Sequence, residues 1–470
     1  MQELPAFPVP VRVETRDAAD QGPVAARIEA IAVRLRPWLP WVHLAMFGAF
    51  LLLIVGPVLL PASDFAKQLG ATANWLIWGL WFPLVFLSVL VAGRAWCGIL
   101  CPMGAASQWM NRLGPKRPIP GWLRWEGTPI VSFVLVTVLG QTVGVRDYPG
   151  ALLEVFGGTL LAALVIGFLY GRGREKRAWC RHACPIGLLL GVFSRLGIVD
   201  LVPKRPRAGG DAYMEKGLCP TMIDINRKTE SRHCITCMRC VHPGRQGGLA
   251  LHLRPPGEEV AAIDRHHPAA SELWFLLLGT GVALGAFLWL VLPEYQWLRQ
   301  TLGVWAIDHG WDWIGSPGPS FLMVVHPEAR EVFVWLDFLL IVGWMLAVMG
   351  LFAAVLAALN AAAVWTAGRL GARGEPRRRF LTLGYQFAPV AMISLLMGLG
   401  GELFALLPAH EAVPLKAALL VTAVAWGVLL GWRILAAHGL AGWRATLALL
   451  PGLAGSVAVA AAWWPALGGG

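Results

Sequence analysis

Long apolar segments separated by short polar ones make up most of the chain. The hydrocarbon core of a bilayer is about 30 Å thick, and a helix needs about 20 mostly apolar residues to cross it. Segments close to that length lie at 41–60, 74–92, 129–145, 155–170, 272–292, 332–359, 380–407, 414–435 and 445–464. The pattern therefore predicts an all-α polytopic membrane protein with about nine transmembrane helices.

The polar stretches between these segments divide the chain into six predicted parts. They are an N-terminal segment (1–40), two transmembrane hairpins that each end in a cysteine motif (41–200), a polar segment with four cysteines (201–270), a transmembrane helix (271–293), a Trp-rich loop (294–331) and a four-helix membrane domain (332–470). The loop tryptophans are expected at a membrane interface, or alternatively on a docking surface for a redox protein. They are Trp297, Trp305, Trp311 and Trp313.

Composition and charge support the membrane assignment and orient the chain. Hydrophobic residues make up 57% of the chain and charged residues only 14%, which is typical of a membrane protein. If the N-terminus lies in the cytoplasm, all but five of the 39 Lys and Arg residues fall on the cytoplasmic side. This bias predicts a bacterial inner-membrane protein with a periplasmic C-terminus, in contact with lipid. The net charge of +11 then needs no nucleic-acid partner.

A cysteine motif occurs twice, at 94–114 and 177–197, with ten identities in 21 aligned positions. Each copy contains C-x-x-x-C-P, formed by Cys97 and Cys101 in the first copy and by Cys180 and Cys184 in the second. Each follows a predicted hairpin that returns to the same side, so the repeat is parallel. Both motifs are therefore expected beneath the bundle, on the cytoplasmic face.

The twin motif offers four thiolates at one place. Cysteines four positions apart share one face of a helical turn, and proline after the second cysteine suits the first turn of a helix. Two such turns facing each other predict a [4Fe–4S] cluster. A tetrahedral zinc ion and a pair of redox disulfides are the alternatives.

A second cysteine set lies at 219–240. Its run CITCMRC has the C-x2-C-x2-C spacing of a bacterial ferredoxin, but Gly244 occupies the slot of the fourth cysteine. In two-cluster ferredoxins the Cys-Pro cysteine of one run binds the other cluster, and here a Cys-Pro pair begins at 219. A second [4Fe–4S] cluster is therefore predicted, with a zinc ribbon as the alternative. Its four ligands are Cys219, Cys234, Cys237 and Cys240.

The sequences RAWCGILCPMGA and RAWCRHACPIG, with spans between them and a ferredoxin segment after them, resemble the membrane iron–sulfur proteins of the NosR and NapH type. The resemblance covers 41–292. It implies electron transfer between the quinone pool, or a cytoplasmic donor, and a periplasmic oxidoreductase. This chain keeps only half of the family's ferredoxin segment. From its short N-terminal segment it is expected to lack the flavin domain of NosR-type proteins, and its last four spans have no counterpart in the related copper-oxidase assembly family.

Ionisable residues inside spans are candidate functional groups, and Asp337 and Glu402 are the clearest candidates for a quinone or proton site. Capping or ion pairing near the outer interface is the alternative for both. Four histidines near span ends are candidate ligands of haem b, although no two lie on one predicted helix. They are His43 and His438 inside, and His326 and His410 outside.

The expected function is that of an electron-transfer subunit with two [4Fe–4S] clusters, part of a quinol dehydrogenase-like redox complex. Arg94, Arg177 and His182 are expected to tune the first cluster by hydrogen bonding and charge. One alternative is a cluster-dependent copper reductase or assembly factor, for which Met323, His326 and His410 are candidate outer metal ligands. Another is a transporter, which would not need eight cysteines in cluster spacing.

Overall fold

The computed structural model describes residues 21–60, 64–204, 217–242 and 247–467. Helices of the first half are α1 (Pro23–Leu35), α2 (Leu39–Leu59), α3 (Asp64–Asn74), α4 (Phe82–Ala92), α5 (Pro102–Leu113), α6 (Gly121–Arg124), α7 (Thr128–Thr142), α8 (Pro149–Leu169), α9 (Ala178–His182) and α10 (Gly187–Ser194). Those of the second half are α11 (Glu258–Ala261), α12 (Ala270–Val291), α13 (Pro293–Asp308), α14 (Trp335–Arg369), α15 (Pro376–Leu383), α16 (Ala388–Leu399), α17 (Gly401–Phe404), α18 (Ala409–Ala437), α19 (Gly442–Ala462) and α20 (Trp464–Leu467).

Four short strands form two pairs: β1 (Val199–Pro203) pairs antiparallel with β2 (Leu249–Leu253), and β3 (Val325–His326) pairs antiparallel with β4 (Glu331–Val332). In this part of the chain eight helical stretches are long and apolar enough to cross a membrane. The all-α membrane fold is therefore confirmed. The third of the nine predicted spans is the 15-residue helix α7, which is shorter than the other eight.

The second transmembrane stretch runs from α3 to α4 through a π-helical segment, Trp75–Trp81. A π-turn adds a residue to the helical repeat, so it rotates the side chains that follow, and such turns are common at functional sites. A second π-helical segment, Trp96–Leu100, leads from α4 into the first cysteine motif. Sequence periodicity does not predict these segments, because they interrupt the regular helical repeat.

The polar segment between α10 and α12 folds around the β1–β2 pair. Helix α1 packs on it: the Glu29 carboxylate accepts hydrogen bonds from the Leu251 amide at 2.9 Å and from Gln21 Nε2 at 2.7 Å. A small apolar cluster beneath α1 includes Cys240, Val241 and Leu251. Part of the N-terminal segment, predicted separately at 1–40, therefore belongs to this small domain.

The predicted Trp-rich loop contains a helix. The 16-residue helix α13 begins at Pro293, which fits the first position of a helix because proline needs no amide partner there. All four loop tryptophans are exposed, with 43–66% of their surface accessible. The loop expectation is corrected for 293–308, where the short polar and aromatic sequence does not have the length of a span but still forms a helix.

The second half packs through close helix contacts at small residues. A Cβ added at Gly281 would lie 2.8 Å from the Met349 backbone, and one at Gly285 would lie 3.0 Å from the Met345 backbone. These glycines let α12 and α14 approach closely, as is common between membrane helices. Between α15 and α16 a 3-10 turn, Gly384–Phe387, places the Gln386 side chain in hydrogen-bond contact with Asn360 of α14 at 3.3 Å.

Candidate iron–sulfur centre

Four cysteines from the two copies of the motif line one cavity. Cys97, Cys101, Cys180 and Cys184 border a space of about 170 Å³ that continues between aromatic side chains toward Arg146. A Cβ added at Gly104 of the first copy would lie 3.4 Å from the Cys180 sulfur of the second. The structure thus brings both copies together at one end of the bundle.

The first copy places its cysteines on either side of a helix start. Cys97 lies in the π-helical segment, and Cys101 is the residue immediately before α5. Its sulfur accepts a hydrogen bond from the Gly104 amide at 3.4 Å, and Pro102 is the first residue of α5. Proline is suited to this position because its amide hydrogen would have no helical partner. The helix start therefore aims a backbone donor at the Cys101 thiolate.

The second copy has the same residues in a different local conformation. Cys180 lies in the short helix α9, and two turn residues separate Cys184 from α10. Pro185 is therefore not the first residue of a helix, unlike Pro102. The Cys184 sulfur instead accepts a hydrogen bond from the Ile186 amide. Both copies donate a backbone N–H to their second cysteine, although from different turns.

The arginines that begin the two motifs cross to the opposite copy. Arg94 of the first copy lies close to Gly187 of the second, because a Cβ there would be 3.7 Å from its Nη2. Arg177 of the second copy lies next to Gly104 of the first, and it donates to the Cys97 carbonyl at 2.5 Å. Both guanidinium groups are buried. This reciprocal exchange is what a parallel repeat related by a pseudo-twofold axis produces.

The second cysteine set surrounds a turn with unusual backbone angles. Thr236 and Met238, which lie between its cysteines, have positive φ values of 48° and 58°. Alternating conformations of this kind point successive amides to one side and form concave sites that bind anions and iron–sulfur clusters. The amide of Thr236 bonds to the Cys234 sulfur, and that of Arg239 bonds to the Cys237 sulfur. The loop thus presents thiolates and N–H donors together.

The two cysteine sets lie directly against each other. Gly98, between the two cysteines of the first motif, would place an added Cβ 2.2 Å from the Ile235 carbonyl oxygen and 3.0 Å from the Cys237 Cα. Only glycine permits so close a backbone approach. The same Gly98 carbonyl contacts His43 Nε2 at 3.2 Å. The sites predicted separately from sequence are therefore neighbours in space.

Burial raises the pKa of several of the cysteine thiols. Burial raises the pKa of Cys101 to about 12 and that of Cys180 to about 11, with the neighbouring cysteines adding to the Cys101 shift. In the second set, burial raises the pKa of Cys234 to about 11, against the opposing charge of Lys228. Buried thiolates need compensating cations. Iron bound to these thiolates would supply that charge, because a metal displaces the thiol proton.

Family comparison supports a cluster-binding assignment. Residues 74–120 and 154–206 match the 4Fe-4S binding domain, one segment for each copy of the motif. The two matched segments include all four cysteines of the twin motif, but not the set at 219–240. No solved structure matches the chain.

Several known proteins match about a third of the chain. An uncharacterized protein of Methanocaldococcus jannaschii is 27% identical over 176 residues, which are 36% of this chain and 68% of that protein. The ferredoxin-type protein NapH of Escherichia coli is 24% identical over 177 residues, 34% of this chain and 61% of NapH. The regulatory protein NosR of Pseudomonas aeruginosa is 24% identical over 183 residues, 34% of this chain and 26% of NosR. The resemblance to NosR and NapH is confirmed, and these similarities support a membrane-associated electron-transfer protein of the 4Fe–4S type.

The residues around the first cysteine site are suited to an iron–sulfur cluster. Among the described residues, no three His, Cys, Asp or Glu side chains stand close enough together to share one ion. A cubane presents a different iron to each thiolate, so its four ligands stand farther apart than the ligands of one ion. Two buried donors that border the cysteine cavity, Arg94 Nε and Trp179 Nε1, lack a partner within the described chain. Cluster sulfides accept hydrogen bonds from such donors.

Basic side chains hold the cysteine loops through carbonyl oxygens. Arg36 donates to the Met238 and Val241 carbonyls at 2.6 and 2.5 Å, and Arg181 donates to the Thr221 and Met222 carbonyls at 2.8 and 2.6 Å. These contacts turn the carbonyls outward and leave the amides for the sulfurs. None of these roles was predicted from sequence, where arginines on a basic face look alike.

Three basic residues beside the second cysteine set are in ion pairs. Lys228 pairs with Asp200, Arg232 with Glu126, Glu230 and Glu272, and Arg239 with Glu175. Arg94 and Arg177 contact the first site as expected, and burial with the charges of Arg181 and Arg124 lowers the pKa of His182 to about 4. Position 244, where a ferredoxin has its fourth cysteine, lies outside the described residues.

Asp337 and Glu402, the two candidates for a quinone or proton site, have different surroundings in the structure. Asp337 is buried at the start of α14, where it pairs with Arg299 at 2.5 Å and accepts from the Val334 amide at 3.0 Å. These contacts account for it as a helix cap. Glu402 lies in α17 against the π-helical segment, with its Cβ 3.2 Å from a Cβ added at Gly79. It is near Arg146 and Asp147, and its proposed role stays a prediction.

The four candidate haem ligands are separated by their contacts. His43 lies at the first cysteine motif, whereas His438 contacts Thr382 at 3.0 Å. His326 stacks on Tyr148, and His410 pairs with Glu411 near the start of α18. These contacts bring no two of the four together. They give haem b no pair of facing ligands among the described residues.

Proposed function

We propose that this protein carries electrons through two adjacent [4Fe–4S] clusters. The observation that supports this most directly is the contact of Gly98 with Ile235 and Cys237, because it brings the backbones of the two cysteine sets into direct contact. Cys97, Cys101, Cys180 and Cys184 hold the first cluster, and Cys219, Cys234, Cys237 and Cys240 hold the second. When bound, each cluster supplies a one-electron carrier.

The surrounding side chains favour the reduced, more negative state. Arg94 and Arg177 bring two buried positive charges to the first site, while the amides of Gly104, Thr236 and Arg239 face sulfurs. Fixed donors and charges of this kind raise the reduction potential of a cluster. The tight contact at Gly98 keeps the two sites at a short, constant separation, which electron transfer requires.

We infer that the clusters connect the quinone pool, or a cytoplasmic donor, with a periplasmic oxidoreductase encoded separately. The charge bias of the sequence supports an inner-membrane location with the cysteines on the cytoplasmic face. The relatives support participation in a redox system, since NapH is a ferredoxin-type protein. The chain acts as one component of such a system.

The experiment is to measure iron, acid-labile sulfide and EPR spectra on full-length protein purified anaerobically in detergent. About eight iron and eight sulfide per chain, with magnetic interaction between two reduced clusters, is the expected result. The variant Cys237→Ala should remove one cluster signal, and Cys101→Ala and Cys184→Ala should each remove the other. About four iron per chain, or zinc in place of iron, would overturn the two-cluster relay.

A further inference from the structure

A second cavity, the outer cavity, adjoins the cysteine cavity on the side of the opposite end of the bundle. It encloses about 260 Å³ between α7, α12 and α16, and it ends at Tyr148, Glu331 and Phe333. Seven lining residues are common to both cavities, among them Thr137, Gln141 and Arg146. The two spaces therefore adjoin along these residues, and we call them together the passage between the cysteines and the other face.

This passage lies between the cysteine sets and the opposite face, a distance that the two proposed clusters do not cover. Both cysteine sets lie at one end of the bundle, whereas the hydrocarbon region is about 30 Å thick. Cluster-to-cluster transfer alone cannot reach the opposite face. The outer cavity is lined by no cysteine, so the clusters do not fill it. A separate carrier would have to occupy the space between.

The walls of the passage show which chemistry would fit. Phe133, Phe287, Trp289 and Phe333 supply an apolar aromatic lining to the outer cavity. A cavity of about 150 Å³ is large enough for a benzene-sized ring, so 260 Å³ admits a substituted ring with its first side-chain atoms. An apolar site of this kind with a few polar groups is typical of small-molecule binding.

The polar groups cluster where the two cavities meet. Arg146 donates to the Gly398 carbonyl at 2.7 Å, and its guanidinium lies 4.9 Å from the centre of the Trp78 ring. Trp78 is 6% exposed and borders the cysteine cavity, and its Nε1 has no partner within the described chain. A buried N–H without an acceptor is costly. A ligand with a carbonyl oxygen would satisfy it.

We propose that the head group of a lipid quinone binds where the two cavities adjoin, with its ring in the outer cavity and a ring carbonyl directed at Arg146, which borders both cavities, and at Trp78, which borders the cysteine cavity. This inference rests on the proposed two-cluster relay and adds the site from which the relay exchanges electrons. A lipid quinone fits because it combines a planar apolar ring, carbonyl acceptors and access from the membrane. Gln141 and Thr137, which border both cavities, complete the polar edge.

Binding of decylubiquinone to the full-length protein in detergent, measured by calorimetric titration, tests the site. Ala286→Phe fills the outer cavity from α12 and should lower the affinity at least tenfold. Trp78→Phe keeps the ring but removes the Nε1 donor, and it should lower the affinity about fivefold, the value of one hydrogen bond. Ala354→Phe and Trp122→Phe are the matched controls, because both positions are exposed.

The titration separates this site from the relay, because binding is read without electron flow. Loss of affinity in Ala286→Phe and Trp78→Phe, with unchanged affinity in both controls, supports the quinone site. Unchanged affinity in the two cavity variants, an equal loss in the controls, or no binding to the wild type overturns it. Iron and EPR signals measured on the same samples report the relay independently, so a failure of either proposal is visible alone.

Discussion

The contact at Gly98 sets the distance between the two cysteine sets at the scale of one residue. Gly98→Ala places a methyl group 2.2 Å from the Ile235 carbonyl oxygen, a distance that real Cβ contacts do not reach, so the loops must separate. We expect a loss of stability of about 1–3 kcal/mol, as for other overpacked sites, and a weaker magnetic interaction between the clusters. Thermal unfolding and EPR of the reduced protein measure both.

Gly48→Ala is the matched control, because a Cβ at Gly48 of α2 meets nothing within 4 Å. Alanine there should leave the clusters unchanged and stabilise the helix slightly. A Gly98→Ala protein with wild-type magnetic interaction would show that the two sets do not depend on this contact.

The charge of Arg177 should raise the reduction potential of the first cluster. Its Nη1 binds the Cys97 carbonyl and its Nε binds Gln108 Oε1 at 2.9 Å, so the guanidinium is fixed beside the thiolates. Because reduction adds a negative charge, Arg177→Gln should lower the potential, by about 60 mV for a tenfold change in a one-electron equilibrium. An EPR-monitored redox titration measures the shift.

Arg177→Lys retains the charge but not the planar hydrogen-bond geometry. It should therefore shift the potential less than Arg177→Gln. An equal shift in both variants would assign the effect to the hydrogen bonds, and a rise in potential would contradict the electrostatic explanation.

Much of the site at the residue scale could be predicted from the sequence, because cysteine spacing records ligand geometry. The twin motif and the Cys-Pro pair at 219 indicated which cysteines to group. The structure brings the four cysteines of the twin motif to one cavity, and the assignment of ligands to two clusters stays a prediction. The Gly98 contact and the crossing of Arg94 and Arg177 were not predicted, since they depend on how separate segments pack. One sequence feature distinguished Arg146: it is one of the five Lys and Arg residues that fall outside the predicted cytoplasmic side.

At the scale of elements, the duplicated arginines Arg112 and Arg195 have taken different roles. Arg195 is fully buried and pairs with Glu259 at 2.7 Å and Glu272 at 3.0 Å, which ties α10 to α11 and α12. Arg112 is 43% exposed and pairs with Glu175 at 2.7 Å. Removing one partner of a buried pair leaves an uncompensated charge, whereas an exposed pair contributes little.

We therefore expect Arg195→Met to destabilise the protein by about 3–5 kcal/mol. The equivalent change Arg112→Met should cost at most about 1 kcal/mol. Thermal unfolding of the two variants in the same detergent measures the difference. Equal losses would mean that the buried network around Glu259 and Glu272 does not stabilise the connection between the small domain and the membrane helices.

Element type was predictable where a hydrophobic pattern was long, and less so elsewhere. The four long helices of the second half follow from continuous apolar sequence of about span length. Helix α13 was missed because its sequence is mixed, with polar residues such as Glu294 and Arg299 between exposed tryptophans. The π-helical segments were missed because they depend on packing, such as that of Glu402 against Gly79.

At the scale of the whole molecule, α7 decides how many times the chain crosses the membrane. Its 15 residues extend about 22 Å, less than the hydrocarbon thickness. The loop that follows nevertheless reaches the face opposite the cysteines, where Arg146 binds Gly398 and the Val324 amide donates to the Thr142 carbonyl at 2.9 Å. We therefore expect nine crossings, with α7 extended by its flanking residues.

Nine crossings place the two ends of the described bundle on opposite faces, as the structure also indicates. The start of α2 lies at the cysteine face, because His43 contacts Gly98, whereas the end of α19 brings Trp463 to within 3.4 Å of a Cβ added at Gly398, near Arg146. With the charge bias setting the orientation, alkaline phosphatase fused after Gly470 should be active and a fluorescent protein fused there should stay dark. Alkaline phosphatase fused after Gly374, in the basic loop between α14 and α15, should be inactive and serves as the control. Fluorescence at the C-terminal fusion would mean an even number of crossings, and α7 would then be a re-entrant helix that lines the cavities without spanning the membrane.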